Sequence, residues 1–376
     1  MEGDFIKIHK WLYPISALYG FGVGLRNQLF DWEILSSQSF DVPVICIGNI
    51  TVGGTGKTPH TEYLIKLLQS QYQVAVLSRG YKRKSRGFML ASPDTPMHMI
   101  GDEPYQMKKK FPHVHVAVDA DRRRGLQYLC APEVCPEVEV VLLDDAYQHR
   151  YVKPGINILL VDYHRMIDED ALLPAGRLRE PARGKQRANI VIITKCPRDI
   201  KPIDYRIISK QMNLYPYQKL YFSTLVYGQL TPLCNDGTQP TRPLEAVGKD
   251  EKVLLVTGIA SPQQLVFDLK EHDINFEHLS FPDHHTFSAK DMNTIKQRFE
   301  QMGDGKKFIL TTEKDATRLI GHPQLDASLK ESIYILPIEV DFLQEQKESF
   351  NEYILGYVKA NSRNSILHQR TDAHHP

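Results

Sequence analysis

Apolar runs alternate with longer polar stretches between residues 42 and 195. Six of these runs have the length and the Val, Ile and Leu content of buried strands: VPVICIGN (42–49), QVAVLSR (73–79), VHVAV (114–118), VEVVLLDD (138–145), INILLVD (156–162) and ANIVIITK (188–195). Near-continuous apolar strands with helical stretches between them are typical of a parallel sheet covered on both faces. The pattern predicts a doubly wound, mostly parallel α/β domain, with ligands at the carboxyl ends of its strands.

A second, smaller α/β domain is predicted further along the chain. KVLLVTGIASPQQLVFDLKEH (252–272) and KKFILTTEKDATRLI (306–320) each have the pattern of a strand followed by a helix. The apolar stretches 219–230 and 332–342 flank this region, and we expect them to pair as a two-stranded linker and hinge. The expected boundaries are a core over 31–225, a smaller lobe over 226–342, and a C-terminal helix and tail over 343–376.

The N-terminal residues 1–30 contain the apolar and aromatic segment WLYPISALYGFGVGL (11–25), which is flanked by basic residues. Its length falls short of the roughly 20 residues that a spanning helix needs, and Pro14 and three glycines interrupt it. Two interpretations remain open on this pattern. The segment is either a packed N-terminal helix or a membrane-associating helix whose aromatic side chains lie at headgroup depth.

Net charge and cysteine content argue against several classes of protein. A net charge of +1 argues against a surface built to wrap nucleic acid. The 5 cysteines form no CxxC pair, which indicates free thiols rather than a disulfide framework or a zinc site. No feature of the chain calls for an obligate protein partner.

A glycine-rich loop follows the first predicted strand and precedes an amphipathic stretch, the context of a P-loop. The loop consists of Thr51, Val52, Gly53, Gly54, Thr55, Gly56, Lys57 and Thr58. Thr51 stands where the pattern GxxxxGK[ST] has its first glycine, and every later position fits. Such a loop points backbone N–H groups at phosphate oxygens, with the lysine on the β- and γ-phosphates and the hydroxyl of Thr58 on Mg²⁺. The sequence therefore predicts a nucleoside triphosphate site in an α/β domain of the P-loop NTPase type.

A carboxylate at the end of a neighbouring strand usually completes the metal side of a P-loop site. Asp144 and Asp145 follow six strand-type residues, which makes them the candidates. The stretch TKCP (194–197) stands where switch GTPases carry NKxD, and it lacks the aspartate that reads guanine. ATP is therefore the expected nucleotide.

Eight segments in this order resemble the tetraacyldisaccharide 4'-kinase family, the lipid A kinases of Gram-negative bacteria. They are LYPISALYGFGVGLRNQLFD (12–31), GNITVGGTGKTP (48–59), SRGYKRK (78–84), GDEP (101–104), DDAYQHR (144–150), LLPAGRLREP (172–181), FPDHH (281–285) and TTEKDA (311–316). The resemblance covers residues 5–345. It implies that the γ-phosphate of ATP passes to the 4'-hydroxyl of an acylated glucosamine disaccharide 1-phosphate lipid, giving lipid IV-A. It also implies a peripheral protein on the cytoplasmic face of the inner membrane.

The resemblance also implies roles for individual residues. Asp102 is the expected base for the sugar hydroxyl, assisted by His284, and Glu103 is an expected metal ligand beside Thr58 and Asp144. The expected substrate-binding residues are Asn49, Arg79, Arg122, Asp145, Gln148, His149 and Arg179. One departure is that Ala146 replaces a glycine usual in the family, which is harmless if the backbone φ there is negative. Because Asp102 and His284 belong to different predicted lobes, we expect the hinge to close over the substrates.

Two other functions fit a P-loop and stay open at this level. One is a switch or metallochaperone-type NTPase that hydrolyses nucleotide to regulate a partner. The other is a soluble kinase for a small metabolite, in which residues 11–25 belong to the core.

Overall fold

The computed structural model describes residues 8–131, 133–135, 137–234, 239–259, 262–283 and 285–362. The chain divides into two compact units: unit 1 is Met1–Leu225 with Val340–Pro376, and unit 2 is Val226–Glu339. Each unit is built around one mixed or parallel sheet.

Strands and helices within the described residues are numbered in chain order. The strands are β1 (Val44–Gly48), β2 (Val74–Ser78), β3 (Met89–Leu90), β4 (His115–Val118), β5 (Val140–Asp144), β6 (Ile156–Asp162), β7 (Ile190–Thr194), β8 (Lys219–Tyr227), β9 (Thr231–Pro232), β10 (Lys252–Thr257), β11 (Asn275–Ser280), β12 (Lys307–Thr312), β13 (Ile333–Leu336) and β14 (Ile338–Phe342). The α-helices are α1 (Tyr13–Asp31), α2 (Lys57–Leu68), α3 (Met97–Ile100), α4 (Asp102–Lys110), α5 (Arg122–Leu129), α6 (Pro202–Met212), α7 (Gln263–Glu271), α8 (Ala289–Gln301), α9 (Glu313–Leu319), α10 (Ala327–Glu331) and α11 (Gln346–Ala360). Short 3-10 helices occur at Lys10–Leu12, Ala182–Arg187 and Leu244–Ala246.

The sheet of unit 1 has nine strands among the described residues, in the order β14-β8-β7-β6-β1-β5-β2-β4-β3. All six strands predicted from the apolar runs are present, and they pair in parallel with one another. β1 lies between β5 and β6, while the chain continues from β1 to β2 on the far side of β5. Such a reversal of strand order opens a crevice at the carboxyl ends of the strands. The loop after β1 lies at this switch point.

Both faces of this sheet are buried. Along β1, Ile45 and Ile47 belong to one hydrophobic cluster, and Val44 and Cys46 belong to another. Alternate side chains of a strand point to opposite faces, so two separate cores cover the sheet. α11 contributes Phe350, Ile354 and Val358 to the first of these cores, and it is therefore part of unit 1 rather than a separate C-terminal segment. The doubly wound fold is confirmed.

α1 is a continuous helix, although Pro14 and the three glycines suggested an interrupted segment. Pro14 lies in the first turn, where a missing N–H costs no intrahelical bond. The helix is held to the loop 172–179 by polar contacts, since the Ser16 hydroxyl donates to Leu172 O at 3.0 Å and the Tyr19 hydroxyl donates to Arg179 O at 2.7 Å. α1 is packed against this loop, but most of it lies outside the hydrophobic core, because only Ser16 and Phe30 in it are buried.

Unit 2 contains a five-stranded sheet in the order β11-β10-β12-β13-β9. β10, β11, β12 and β13 pair in parallel, and β9 pairs antiparallel with β13. The two predicted strand-helix segments form β10 with α7 and β12 with α9. The stretch 332–342 is divided between the sheets, because β13 pairs with β12 and β14 lies beside β8. The chain passes between the units along β8 and β14. Each of the 5 cysteines is free, as predicted.

Candidate active site

The loop Thr51–Thr58 is bent where its glycines allow it. Gly53 has φ +124° and Gly56 has φ +82°, and both values are unfavourable for residues with a Cβ. Val52, Gly53 and Gly54 are exposed. Gly56 immediately precedes α2, so the exposed amides of the loop lie at the positive end of a helix. This is the geometry of a phosphate-binding nest.

Thr51 replaces the first glycine of the pattern without strain, because it is extended rather than left-handed. It forms an antiparallel bridge with Leu178. Val52 N donates to Arg177 O at 2.8 Å and Arg179 N donates to Ile50 O at 2.7 Å. The start of the loop is thus fixed to the segment that carries Arg179.

Asn49 has a different task from the sugar contact that we expected. Its side chain is completely buried, and its amide donates to Thr55 Oγ1 at 2.7 Å. A residue with no exposed surface cannot contact the sugar in this conformation. Asn49 instead holds the middle of the phosphate loop in place.

Asp144 ends β5 directly beside the phosphate loop, in register with Ile47 of β1. Its carboxylate accepts hydrogen bonds from Thr61 Oγ1 and Ser78 Oγ, each at 3.2 Å. Burial, then the carboxylates of Glu103 and Asp145, raise the pKa of Asp144 to about 7. Three acidic side chains are therefore crowded at this point, an arrangement that a bound cation relieves.

Asp145 connects the loop lysine to an arginine. Its carboxylate lies 3.8 Å from Lys57 Nζ and accepts from Arg179 Nη1 at 3.2 and 3.4 Å. Asp145 has φ +46°, a left-handed conformation that aspartate tolerates better than most residues. All three side chains are partly exposed, at 13% for Lys57, 30% for Asp145 and 28% for Arg179. They form a charged cluster open to a ligand.

Asp102 and Glu103 lie at the same edge of the sheet as Asp144. The chain after β2 and the chain before α4 approach each other closely there, because Gly80 and Gly101 have no Cβ. A Cβ at Gly80, after β2, would lie 2.8 Å from Ile100 O, and a Cβ at Gly101 would lie 2.8 Å from Tyr81 O. Asp102 and Glu103 then begin α4, where the helix dipole stabilises their negative charge. Both are partly exposed.

α4 is tied to the helix of the phosphate loop through Glu62. This buried carboxylate on α2 accepts from Gln106 Nε2 at 2.9 Å and from Lys110 Nζ at 2.5 Å. Asp102 and Lys57 therefore begin two helices that are hydrogen-bonded to each other.

Comparison with known proteins agrees with this geometry. The family model described as tetraacyldisaccharide-1-P 4'-kinase (LpxK) matches residues 8–359. The chain belongs to this family.

Two relatives in this family cover nearly the whole chain. The tetraacyldisaccharide 4'-kinase of Phocaeicola vulgatus is 63% identical over 365 residues, which are 97% of this chain and 99% of that protein. The protein of the same name from Bacteroides fragilis is 59% identical over 375 residues and spans 100% of both chains. Among solved structures, the "apo" form of LpxK from Aquifex aeolicus in complex with ATP superposes with a TM-score of 0.70 at 30% identity. It covers 92% of this chain and 98% of the other.

Arg122 and Gln148, two further residues that the family resemblance assigned to substrate, are hydrogen-bonded to other parts of the protein. Arg122 is 4% exposed, and its guanidinium donates to Ala120 O at 3.1 Å and to Asp145 O at 3.4 Å. Gln148 donates to Asn49 O at 2.6 Å, and its own oxygen accepts from Arg179 at 3.4 Å. These contacts fix the backbone of Asp145, the phosphate loop and Arg179. Arg122 does not reach a ligand in this conformation, because it is buried.

His149 supports Arg122. Its Nε2 accepts from Arg122 N at 3.2 Å and lies 3.7 Å from the carboxylate of Asp121. Burial, then Arg122, lower the pKa of His149 to about 4, so the ring is neutral at physiological pH. Because Nε2 is engaged with the backbone of Arg122, His149 supports the position of Arg122.

Two predicted site residues remain, Arg79 and His284. Arg79 follows β2 and is exposed. Burial, and to a smaller extent the charge of Arg79, lower the pKa of Arg122. His284, the expected assistant of Asp102, lies outside the described residues. Ala146 has no positive φ, so its substitution for glycine is harmless as expected.

Two residues of α2 that no sequence motif indicated, His60 and Thr61, form hydrogen bonds to the phosphate loop and to Asp144. His60 Nδ1 lies 2.7 Å from Gly56 O, and its Nε2 lies 3.0 Å from Ser223 Oγ on β8. Thr61, on the helix that follows Lys57, holds Asp144. The one available signal was spacing, because residues three and four positions after Lys57 return to its side of the helix.

Proposed function

We propose that this chain transfers the γ-phosphate of ATP to the 4'-hydroxyl of tetraacyldisaccharide 1-phosphate and so forms lipid IV-A. One observation carries the proposal. The open, glycine-bent loop Thr51–Thr58 lies beside Lys57, Asp145 and Arg179 in a chain of the tetraacyldisaccharide-1-P 4'-kinase family. The ATP complex of the Aquifex aeolicus protein supports ATP as the donor.

The phosphate loop is the proposed ATP site, with the amides of Thr51–Thr58 on the phosphate oxygens. Lys57 now faces Asp145 at 3.8 Å. A triphosphate offers this ammonium a stronger partner, and Lys57 is proposed to reach the β- and γ-phosphates. Arg179, held against Asp145, then lies beside the charge that develops during transfer.

Thr58, Asp144 and Glu103 are the proposed ligands of Mg²⁺. Their hydroxyl and carboxylate oxygens are the donors that Mg²⁺ prefers, and the crowding of carboxylates around Asp144 favours a cation there. Among the described residues, no three His, Cys, Asp or Glu side chains are placed to hold a metal by themselves. That fits Mg²⁺, which usually takes part of its shell from water and substrate phosphates. Bound there, the ion neutralises charge on the transferring phosphate.

Asp102 is the proposed base that accepts the proton of the sugar hydroxyl. Asp102 lies in the first turn of α4, and α4 is hydrogen-bonded to the phosphate-loop helix. The assistance of His284 and the closure of a hinge stay predictions from the sequence.

The acceptor carries a phosphate and acyl chains, and two features suit them. Arg79 and Arg179 are exposed or partly exposed at the carboxyl edge of the sheet. α1 exposes large apolar side chains, with Leu18 at 74% and Phe21 at 72%. Within the described residues, every helix is too short or too polar to cross a bilayer. We propose that α1 lies in the surface of the inner membrane, on its cytoplasmic face.

The proposal is tested with purified full-length chain, γ-labelled ATP, Mg²⁺ and disaccharide 1-phosphate lipid in detergent. Label is expected in the lipid with the wild type. Lys57→Ala and Asp102→Asn should both lose transfer by at least a hundredfold. Thermal unfolding of each variant controls for folding. Hydrolysis of ATP at the same rate with and without the lipid would contradict the proposal and favour a switch NTPase. Transfer to a water-soluble sugar alone would favour a metabolite kinase.

A further inference from the structure

A cavity of about 380 Å³ opens between the 3-10 helix Ala182–Arg187 and the loop after α6. None of the proposed catalytic residues lines it. Its volume lies within the range of small-molecule sites, roughly 300–1,000 Å³. It is therefore large enough to accept a ligand group of its own.

Hydrogen bonds fix both walls of the cavity. Gln186 Nε2 donates to the Tyr215 hydroxyl at 2.8 Å, and the Tyr217 hydroxyl donates to Gln186 O at 2.8 Å. Gln218 donates to the carbonyls of Lys185 and Ala188, each at 2.8 Å. The concave shape is therefore preformed and costs a ligand little ordering of the protein.

The lining is basic and carries no acidic side chain among the described residues. Arg183 is exposed, and its guanidinium has no hydrogen bond or ion pair within the described part of the chain. Lys185 Nζ donates to Met212 O, which places a second positive charge in the wall. Arg183 and Lys185 both line the cavity, and guanidinium and ammonium groups suit the oxygens of a phosphate group.

The cavity lies beside α1. Arg183 Nη2 is 3.6 Å from the position that a Cβ at Gly24 would take. Gly20, one turn earlier on the same stripe, packs against Leu172, so this stripe borders the docked side of the helix. Leu18, Phe21 and Leu25 lie on its exposed side. The cavity wall thus reaches α1 through the side chain of Arg183.

Two aromatic side chains mark the rim. Tyr215 and Tyr217 are exposed, and their rings are stacked with centroids 5.6 Å apart. Exposed tyrosines next to basic side chains are typical of protein surfaces at the headgroup level of a bilayer.

We infer that this cavity binds the phosphate headgroup of an anionic membrane phospholipid. The occupant is a bilayer lipid rather than free phosphate, because the basic lining borders an exposed apolar helix and two interfacial tyrosines. The inference rests on the proposed docking of α1 at a membrane, but it does not rest on the assignment of any catalytic residue.

Flotation of the full-length chain with vesicles tests the site. The vesicles contain phosphatidylcholine alone or with phosphatidylglycerol. Arg183→Gln should weaken binding to the anionic vesicles about fivefold, the effect of one basic residue at such a surface. Arg298→Gln, an exposed arginine on α8, is the matched control and should bind like the wild type. If both variants lost the same amount of binding to anionic vesicles, the effect would come from net charge alone, and the inference would be overturned.

A steric variant separates occupancy of the cavity from surface charge. Ala182 lines the cavity, and Ala182→Trp fills it without changing any charge. Binding to anionic vesicles should fall at least as far as in Arg183→Gln, and Arg183→Lys should recover part of the loss. Wild-type binding by Ala182→Trp would overturn the inference, provided that its thermal unfolding matches the wild type. If Ala182→Trp unfolds, Leu214→Phe serves instead, because Leu214 also lines the cavity and phenylalanine is larger than leucine.

Two further measurements identify the ligand source and separate this inference from the proposed function. Inorganic phosphate, tested at equal ionic strength against chloride, should not displace the chain from anionic vesicles. Displacement by phosphate would assign the cavity to free phosphate. Transfer to lipid acceptor dispersed in detergent should be unchanged in Arg183→Gln and Ala182→Trp, so that a failure of membrane binding is distinguishable from a failure of phosphotransfer.

Discussion

The Nδ1–H of His60 donates to the carbonyl oxygen of Gly56 across 2.7 Å. A carbonyl can only accept, so the proton is on Nδ1, and Nε2 is the acceptor for the Ser223 hydroxyl at 3.0 Å. The peptide group is planar, and its N–H points away from its C=O. A carbonyl of Gly56 that is turned toward His60 therefore directs the amide of Lys57 to the opposite side. His60 thus sets the direction of one of the proposed phosphate-binding amides.

Replacement of His60 by leucine tests this positioning role. The Gly56 carbonyl loses its side-chain hydrogen bond but keeps the bond from the backbone N–H of residue 60 at 3.2 Å, and the loss of one hydrogen bond costs about 0.5–1.5 kcal/mol. We expect the KM for ATP to rise about tenfold, with a smaller change in kcat. Ser223→Ala is the control, because it leaves the bond from Nδ1 to Gly56 in place and should leave the KM for ATP near the wild-type value. A normal KM in His60→Leu would show that the loop sets its own geometry.

His60 also predicts how stability changes with pH. Burial lowers the pKa of His60 to about 4 in the folded chain, whereas an unfolded histidine has a pKa of about 6.5. As the pH falls between these values, the unfolded state takes up a proton that the folded state does not. The free energy of unfolding therefore falls, by about 3 kcal/mol in total, with the full contribution present above about pH 6.5. Urea unfolding of wild type and His60→Leu at pH values across this window measures it. Parallel pH profiles of the two proteins would contradict the expectation.

The strands of unit 1 were predictable because a strand buried on both faces needs an apolar residue at nearly every position. β3 was not predictable, because a strand of two residues is too short to show a hydrophobic period. β8 was expected as a linker, and its pairing with β7 became visible only in the structure. Within the site, Lys57 and Asp144 were predictable from local motifs. The buried positions of Asn49 and Arg122 depend on how separate segments pack, and a motif carries no information on exposure.

Arg179 is expected to act on turnover rather than on ATP binding. Its guanidinium holds Asp145 at 3.2 Å, and Lys57 lies 3.8 Å from the same carboxylate. Arg179→Gln removes the guanidinium that is proposed to lie beside the charge developing during transfer, and it leaves the phosphate loop and Lys57 in place. We expect kcat to fall about a hundredfold, while the Kd for ATP changes little. Arg206→Gln, an exposed arginine on α6, is the control. A Kd for ATP that rises as much as kcat falls would place Arg179 in ATP binding instead.

Removal of Mg²⁺ should abolish transfer, and Asp144 should set the requirement for it. Asp144→Asn removes one negative charge from the group that includes Glu103 and Asp145. The concentration of Mg²⁺ needed for half-maximal transfer should rise at least tenfold. Thermal unfolding with ATP provides a readout independent of activity, because Mg²⁺ should raise the Tm of the wild type more than that of Asp144→Asn. An equal rise in Tm would exclude Asp144 as a ligand.

In unit 2, Asp315 of the motif TTEKDA (311–316) forms a buried ion pair with Arg318. Asp315 is completely buried, and it accepts from Thr312 Oγ1 at 2.8 Å, Gly258 N at 2.9 Å and Arg318 Nη1 at 3.1 Å. Arg318 is also buried and donates to Gly258 O at 3.2 Å. The pair therefore fixes the turn after β10, because Asp315 binds the N–H of Gly258 and Arg318 binds its C=O.

Asp315→Asn should destabilise the chain by about 3–5 kcal/mol, because it leaves the charge of Arg318 buried without its counterion. Thr312→Val removes a single hydrogen bond and should cost about 1 kcal/mol. Asp326→Asn, which breaks an exposed pair with Lys296, is the control and should unfold like the wild type. Urea unfolding of the three variants orders them. If Asp315→Asn unfolded at the same urea concentration as Asp326→Asn, the buried pair would contribute no more than an exposed one, and the motif would need another explanation.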